Sequence, residues 1–403
     1  MVNIILMNIV VIGVGYVGLV TGLGLAKLNH NIQFLDIDIT KVDKLKNKIA
    51  PFYEPLLDKN LNEPDIADKI SFHHEYDNVD WTSVDIIMIC VQTPNSFNND
   101  VDTTFLTNVF ESISEFIDQN KIICIKSTIH PEALDDTLES SKFSPGQIVF
   151  NPEFLREGSA FQDFFNPDRI VIGSVDKTNA EKVALLYKDL DTKIIFTDPI
   201  SSQLIKYLSN AYLPLRLSFV NEASQLIKTL GGNLSETLHG IGLDSRIGTE
   251  YFRPSAGWGG SCFPKDVAEI NSIINSKNLN TPLISNIIDS NNQHQIWFSD
   301  FILEQKKEQK LKHIILIGVA FKENTDDTRY SPTISIYDIL NSKGESVKIF
   351  DLNTEKFGDY NIINQFQDRS LILEMYPLDT ESAKVIEDEL SKLNQYKYLR
   401  FWE

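Results

Sequence analysis

The stretch Gly257 to Asp266 reads GWGGSCFPKD and sets a cysteine, a lysine and an aspartate within one turn of each other. A thiol acts as a nucleophile only as its thiolate, and helix N-terminal amides and a nearby lysine both favour that form. Pro264 can open a helix, which places Cys262 at its N-terminal edge and Asp266 four residues further on. Gly259 and Gly260, lacking Cβ, allow a close backbone approach and leave room for a ligand. A lone cysteine is more often a small buried apolar side chain, so its company decides the reading. Arg246, Tyr251, Arg253 and Ser255 stand just ahead of it, and Lys206 and Asn210, spaced i, i+4, share one face of a long helical stretch.

A second constellation lies near the N-terminus. The apolar run NIVVIG leads into GVGYVG, where Gly13, Gly15 and Gly18 fill the G-x-G-x-x-G spacing. A strand before that turn and a helix from Tyr16 to Leu28 after it make the context of a dinucleotide site. The next strand, NIQFLD, ends at Asp36, where an acid accepts from ribose hydroxyls and repels a 2′-phosphate, so NAD is expected rather than NADP. Three further strand ends carry polar residues suited to chemistry: Gln92-Thr93-Pro94, Ser127-Thr128, and the run Asn151 to Gly158, NPEFLREG. Near the C-terminus Lys322, Asp326, Asp327 and Arg329 cluster in one loop, and a cationic pair there suits a diphosphate; a loop salt-bridged among its own aspartates is the alternative.

The elements that position these residues alternate strand and helix. KISFHH, DIIMICV, KIICIK, IVFN, RIVIG and KIIFT read as short strands, with helical stretches at Val101 to Ile117 and Lys177 to Leu190. This predicts an α/β fold with a doubly wound parallel sheet. From Ser201 a long helix follows, which Pro214 should kink rather than end. Ile270 to Trp297 reads as connecting helix with no visible chemistry. HIILIG, a helix from Thr333 to Ser342, and SVKIFD repeat the strand-helix-strand order without the glycine fingerprint, and LILEM and KYLRFW close the chain. The expected architecture is two Rossmann-like doubly wound parallel-sheet domains joined by a long central helix, with boundaries at 1–198, 199–297 and 298–403.

Composition narrows the class. With 403 residues the chain is too long for one core. It carries 37 Lys and Arg against 56 Asp and Glu, a net charge of −19, which argues against nucleic acid or an anionic membrane surface as partner. Three cysteines make no disulfide framework, and Cys90 and Cys124 fall inside apolar strands, as in a reducing compartment. No apolar run approaches a membrane span, and the opening MVNIILMNIVVIGV reads as a first strand, so a cytoplasmic protein is expected.

Taken together, GVGYVG, YEP at Tyr53, NPEFLREG, KYLSNAYLPLR, GLDSRIG, GWGGSCFPKD and FKENTDDTR followed by SP resemble the nucleotide-sugar 6-dehydrogenases over nearly the whole chain. The Gly-Gly-Ser-Cys-Phe-Pro-Lys-Asp form is more similar to the branch that oxidises UDP-glucose than to that for acetylated sugars; GDP-mannose and UDP-N-acetylhexosamine are the alternatives, and a non-enzymatic sugar-nucleotide sensor a remoter one. The resemblance implies an N-terminal domain holding NAD, a homodimer through the central helix, a C-terminal domain holding UDP, and no metal. It implies that Cys262 is the nucleophile, that Lys206 and Asn210 stabilise charge at the reacting carbon, that Asp266 with Thr128 positions water, and that Glu153 and Glu157 lie beside sugar and nicotinamide. Gly13, Gly15, Tyr16, Val17, Gly18, Asp36, Lys41, Thr93, Thr128, Glu157 and Arg329 would contact the cofactor. Phe154, Leu155, Arg156, Glu157, Tyr251, Ser255, Gly259 and Lys322 would grip the sugar nucleotide, with Arg246 reaching the partner subunit's site. Where family members commonly carry a basic residue after the strand LILEM, this chain has Glu374 and Met375.

The chemistry explains the cysteine. An aldehyde has no sp³ carbon from which hydride can leave until something adds to it; a thiol makes a thiohemiacetal, and a second hydride loss leaves a thioester for water to hydrolyse. Asp266 and Glu157 are both candidates for activating that water.

Overall fold

The structure is a computed structural model that describes residues 6–94, 102–129, 138, 141–351, 362–363 and 365–402. The chain divides into two compact units, Met1–Leu208 and Ser209–Glu403.

In the first unit β1 (Asn8–Ile12) leads through the glycine turn into α1 (Tyr16–Lys27) and β2 (Asn31–Leu35), followed by β3 (Ile70–His73), β4 (Ile86–Ile89), α2 (Thr104–Ile113), β5 (Ile122–Ile125), β6 (Ile148–Phe150), β7 (Ile170–Gly173) and β8 (Ile194–Thr197). They form one sheet in the order β3-β2-β1-β4-β5-β6-β7-β8. Strands β1 to β6 pair in parallel, in registers such as Ile9 with Ile32 and Ile9 with Ile86. A sheet with helices on both faces needs strands buried on both sides. Accordingly Ile9 and Val11 of β1 enter a core with Leu19 and Leu23 of α1, while Val10 and Ile12 enter the opposite core with Leu106 and Phe110 of α2.

Several details depart from the periodicity. The junction of β6 and β7 is antiparallel, a single pair at Phe150 and Gly173, so β7 and β8 run against the other strands. The stretch after Lys177 is α-helical to Ala184 and tightens to a 3₁₀ turn over Leu185–Tyr187. Val101, where a helix was expected to begin, lies outside the described residues, and α2 starts at Thr104.

Helix α3 (Pro199–Thr229) carries the chain from the first unit into the second and is not ended by Pro214. In the second unit α4 (Phe263–Ser276) and α5 (Ile287–Glu308) replace the single connecting helix expected over Ile270 to Trp297. The break has a local cause: Asn278 takes a left-handed φ of 51°, and a short turn opens at Pro282. A helix at Leu234–Gly242 precedes α4 and α5, and after them come β9 (His313–Ile317), α6 (Pro332–Ser342), β10 (Val347–Phe350), β11 (Ile362–Ile363), β12 (Ser370–Glu374), α7 (Thr380–Ser391) and β13 (Tyr396–Arg400), with an all-parallel sheet ordered β11-β10-β9-β12-β13.

The two sheets begin alike. Gly13 (φ 91°) and Gly318 (φ 93°) end their first strands, and each donates its N–H to the second strand at 2.9 Å. The next amide, of Val14 or Val319, donates at 2.7 Å to an aspartate ending the second strand, Asp36 or Asp351. They differ in what meets that glycine: a Cβ at Gly318 would lie 2.5 Å from the Tyr376 ring, and one at Gly13 2.7 Å from the Cys90 carbonyl oxygen.

Candidate active site

In the first unit the fingerprint glycines have distinct jobs. A Cβ at Gly13 would lie 2.7 Å from the Cys90 carbonyl oxygen, and one at Gly18 only 2.0 Å from that of Gly13, so both are required by packing. Gly15 is open, and it caps α1 with no side-chain hydrogen bond, no acid following in the first turn. Such a helix start offers backbone N–H groups and positive potential to a diphosphate. The Asp36 carboxylate accepts from Val14 N–H at 2.7 Å and Asp38 N–H at 2.9 Å, which fixes it at the strand tip with lone pairs left for ribose hydroxyls. Lys41 lies 3.9 Å from Asp38, the cap of its own helix. These residues fit NAD.

Polar groups follow the ends of β4, β5 and β6. Thr93 Oγ1 donates to the Thr128 carbonyl at 2.7 Å. Glu153 accepts from Leu155 N–H at 2.6 Å with one oxygen and from Lys206 Nζ at 2.8 Å with the other, both side chains nearly excluded from solvent. Lys206 also lies 5.5 Å from the Phe154 ring, whose centre is 3.6 Å from the Arg169 guanidinium carbon. Glu54, from the YEP motif, accepts from Gly158 N–H at 2.7 Å and Ala160 N–H at 2.8 Å and so pins the end of NPEFLREG. Burial, then Glu54, Glu157 and Glu153, push the Tyr16 hydroxyl far above the usual tyrosine range. Arg156 is exposed and turned onto Asp163 at 2.6 Å.

In the second unit Cys262 caps α4, with Pro264 in the first turn. It is the exposed cysteine of the three; burial pushes Cys90 and Cys124 up to about 12. Behind it Asp266 is buried. Its Oδ2 accepts from Asn210 Nδ2 at 2.6 Å, Lys265 Nζ lies 2.7 Å from Oδ1, and Glu269 follows at 3.9 Å from the same ammonium. Burial opposes the charge on Lys265, but Asp266, Glu269 and Cys262 together raise its pKa.

The loop before Cys262 is held by residues the sequence pattern did not reveal. Asn291 on α5 accepts from Trp258 N–H and donates to Trp258 O, both at 3.0 Å. His294, one turn on, contacts the Ser255 carbonyl at 2.7 Å through Nε2 and Gln225 at 2.9 Å through Nδ1; burial holds its pKa down to about 4. Ser255 N–H donates to Asn221 at 2.8 Å, and Tyr251 takes a φ of 54°. The close approach at Gly259 and Gly260 is that of the loop 321–330: a Cβ on Gly259 would lie 2.0 Å from Tyr330 O, and Gly260 N–H donates to Arg329 O at 3.0 Å. Lys322 lies 5.5 Å from the Phe321 ring. Arg329 and Arg246 are exposed and paired with Asp327 and Asp244 at 2.5 and 2.7 Å, and Arg253 with Glu323 at 3.1 Å. Glu374, in place of a basic residue, accepts from Arg400 Nε at 2.9 Å and from the Tyr398 hydroxyl.

An open glycine turn fixed by a strand-tip aspartate is the cradle of an NAD-dependent oxidoreductase. The comparisons with known proteins agree. Residues 7–191, 200–293 and 315–385 match the NAD binding, central and UDP binding domains of the UDP-glucose/GDP-mannose dehydrogenase family. A UDP-glucose 6-dehydrogenase of Rickettsia felis is 38% identical over 352 residues, 86% of this chain and 78% of that protein; another of Rickettsia bellii is 34% identical over 98% and 92%. The solved structure of a UDP-glucose dehydrogenase from Pyrobaculum islandicum, 28% identical, superimposes with a TM-score of 0.83 over 98% of both chains. The chain belongs to the UDP-glucose/GDP-mannose dehydrogenase family, with NAD as cofactor and a UDP-sugar as substrate. No helix among the described residues is long and apolar enough to cross a membrane.

Proposed function

We propose that the chain oxidises C6 of UDP-glucose to the carboxylate of UDP-glucuronate, with Cys262 as nucleophile. The observation that carries this reading is Cys262 itself, exposed at a helix start with Lys265 and Asp266 in the next turn. An enzyme that stopped at the aldehyde would need no thiol. NAD, when bound, supplies the hydride acceptor, one molecule for each of the two hydrides. The first departure from the alcohol leaves an aldehyde; Cys262 Sγ adds to its carbon to give a thiohemiacetal, which after the second departure is a thioester. Water attacks the thioester carbon, the C–S bond breaks, and Cys262 leaves as thiolate.

Lys206 and Asn210 supply donors to the oxygen that becomes negative at each tetrahedral stage. Asp266 orients the attacking water, since Asn210 and Lys265 hold its carboxylate from two sides; Thr128 assists and Glu157 is the competing base. Glu153 fixes Lys206. The backbone and side chains of Phe154 to Glu157, with Tyr251, Ser255, Gly259 and Lys322, receive the sugar nucleotide. Tyr16, Val17, Lys41, Thr93 and Arg329 flank the cofactor. The domain roles follow the boundaries 1–198, 199–297 and 298–403.

The protein acts as a cytoplasmic homodimer. Tyr212, Phe219 and Leu226, seven residues apart on α3, are each more than half exposed, a stripe suited to a second copy of the helix. Arg246 completes the partner's site.

The test counts NADH. Offered UDP-glucose, GDP-mannose and UDP-N-acetylhexosamines in turn, the protein is expected to form two NADH per UDP-glucose, while Cys262→Ser binds both ligands and releases no UDP-glucuronate. Acid production by that variant, or one NADH per sugar in the wild type, overturns the reading.

A further inference from the structure

Lys126 is a lysine on the first unit's sheet, immediately after β5, and only 6% exposed. Its ammonium donates to both acceptors of one residue, the Asn151 carbonyl at 3.2 Å and Asn151 Oδ1 at 3.1 Å. Asn151 opens NPEFLREG. Its Oδ1 also accepts from Tyr187 at 2.6 Å, its Nδ2 donates to Val171 O at 2.9 Å, and its N–H donates to Ile125 O at 2.9 Å. The ammonium therefore ties the end of β5 to the residue that follows β6, and Asn151, two residues before Glu153, carries the link on to Val171 of β7.

The hydrogen-bond partners are neutral, and burying a charge on neutral partners is costly. The groups that face Lys126 are Cys124 from β5, Cys90 from the end of β4, Glu153 from beyond β6 and Lys206 from α3. The two thiols are neutral, held up at about 12 by burial. Glu153 is the carboxylate of this set, and it is already bonded to Lys206. Glu153 also faces the Tyr16 hydroxyl, which is uncharged. Two cations thus share one carboxylate, one by direct contact and one through the strand end that carries it.

We infer that Lys126 is a positioning residue for the reaction: through its two hydrogen bonds to Asn151 it fixes the strand end bearing Glu153, and with it the Glu153–Lys206 pair. Burial lowers the pKa of Lys126, and Cys124, Cys90 and Glu153 offset part of that shift. The inference rests on the assignment of Lys206 to the reacting oxygen.

The experiment measures kcat and KM for Lys126→Gln, which keeps an N–H donor for Asn151 but no charge, Lys126→Met and Lys126→Arg, with folding checked by thermal melting. An uncharged side chain makes weaker hydrogen bonds to Asn151 than an ammonium does, or none. The neutral variants are therefore expected to lose about 10-fold in kcat. KM for NAD and for the sugar nucleotide should stay within about two-fold, and Lys126→Arg should restore kcat. Either neutral variant, recovered folded, decides the matter. An unchanged kcat, whether or not KM rises, overturns the inference. Lys206→Met is measured beside them: if folded and still fully active, it is the assignment of Lys206 that fails.

Discussion

Asn210 donates to Asp266 at 2.6 Å inside the second unit, and the carboxylate's other oxygen lies 2.7 Å from Lys265. An aspartate so held cannot rotate away from its amide donor, and its negative charge is balanced on one side only. That is the arrangement a water-orienting base requires. Asp266→Asn keeps the shape and removes the charge. Hydrolysis of the thioester should then limit turnover. Stopped-flow absorbance is expected to show a burst of two NADH per site followed by a steady rate lower by roughly 10²- to 10³-fold. A variant whose burst is absent would place Asp266 in an earlier step.

The Glu153–Lys206 pair makes a different prediction, because both partners are buried. Removing one member of such a pair leaves the other's charge without compensation, a loss of about 3–5 kcal/mol. Lys206→Met should therefore lower the unfolding free energy by that order as well as kcat. Glu153→Gln offers one oxygen where Leu155 N–H and Lys206 Nζ now use two, and it leaves the Lys206 charge uncompensated, so it should cost a comparable amount. Urea unfolding of the two variants measures both losses, and a wild-type stability in either would refute the pairing.

The glycine turn separates folding from cofactor binding. Gly18→Ala would set a methyl 2.0 Å from Gly13 O and is expected to destabilise the protein by about 1–3 kcal/mol, seen as a lower melting temperature. Gly15→Ala meets no protein atom and has an ordinary φ of −83°. It should melt as the wild type does yet raise KM for NAD, since the methyl points where the diphosphate approaches. Equal melting shifts for the two would refute this division.

Much of the site could be read before the fold because its signals are local. The strand, glycine turn and helix around Gly13, the acid at Asp36 and the Cys262 helix start each lie within one continuous stretch, so periodicity and turn chemistry suffice. Lys126, Asn291 and His294 could not be assigned that way, nor could the partners of Glu54 and Asn151. Glu54 caps amides about a hundred residues away, at Gly158 and Ala160. Asn291 and His294 hold a loop more than thirty residues earlier, through hydrogen bonds that leave no periodic trace. Lys265 was visible as a cation near the thiol, but its contact with buried Asp266 and Glu269 depends on burial, which spacing does not report. The antiparallel step between β6 and β7 escaped for a related reason: a buried strand has the same composition in either direction.

His294 makes stability depend on pH. Its folded pKa is held down to about 4 by burial, against about 6.5 for an unconstrained imidazole. The unfolded chain therefore binds the proton more readily between these values. The stabilisation is complete above pH 6.5 and is lost as the pH falls toward 4; a difference of that size corresponds to about 3 kcal/mol. Because Nε2 meets the Ser255 carbonyl and Nδ1 meets Gln225, protonation also breaks the acceptor role of one ring nitrogen. His294→Gln should lower stability at pH 7.5 and flatten its decline between pH 6.5 and 4.5, measured by urea unfolding at each pH. A wild-type-like slope in that variant would show that other groups govern the acid loss.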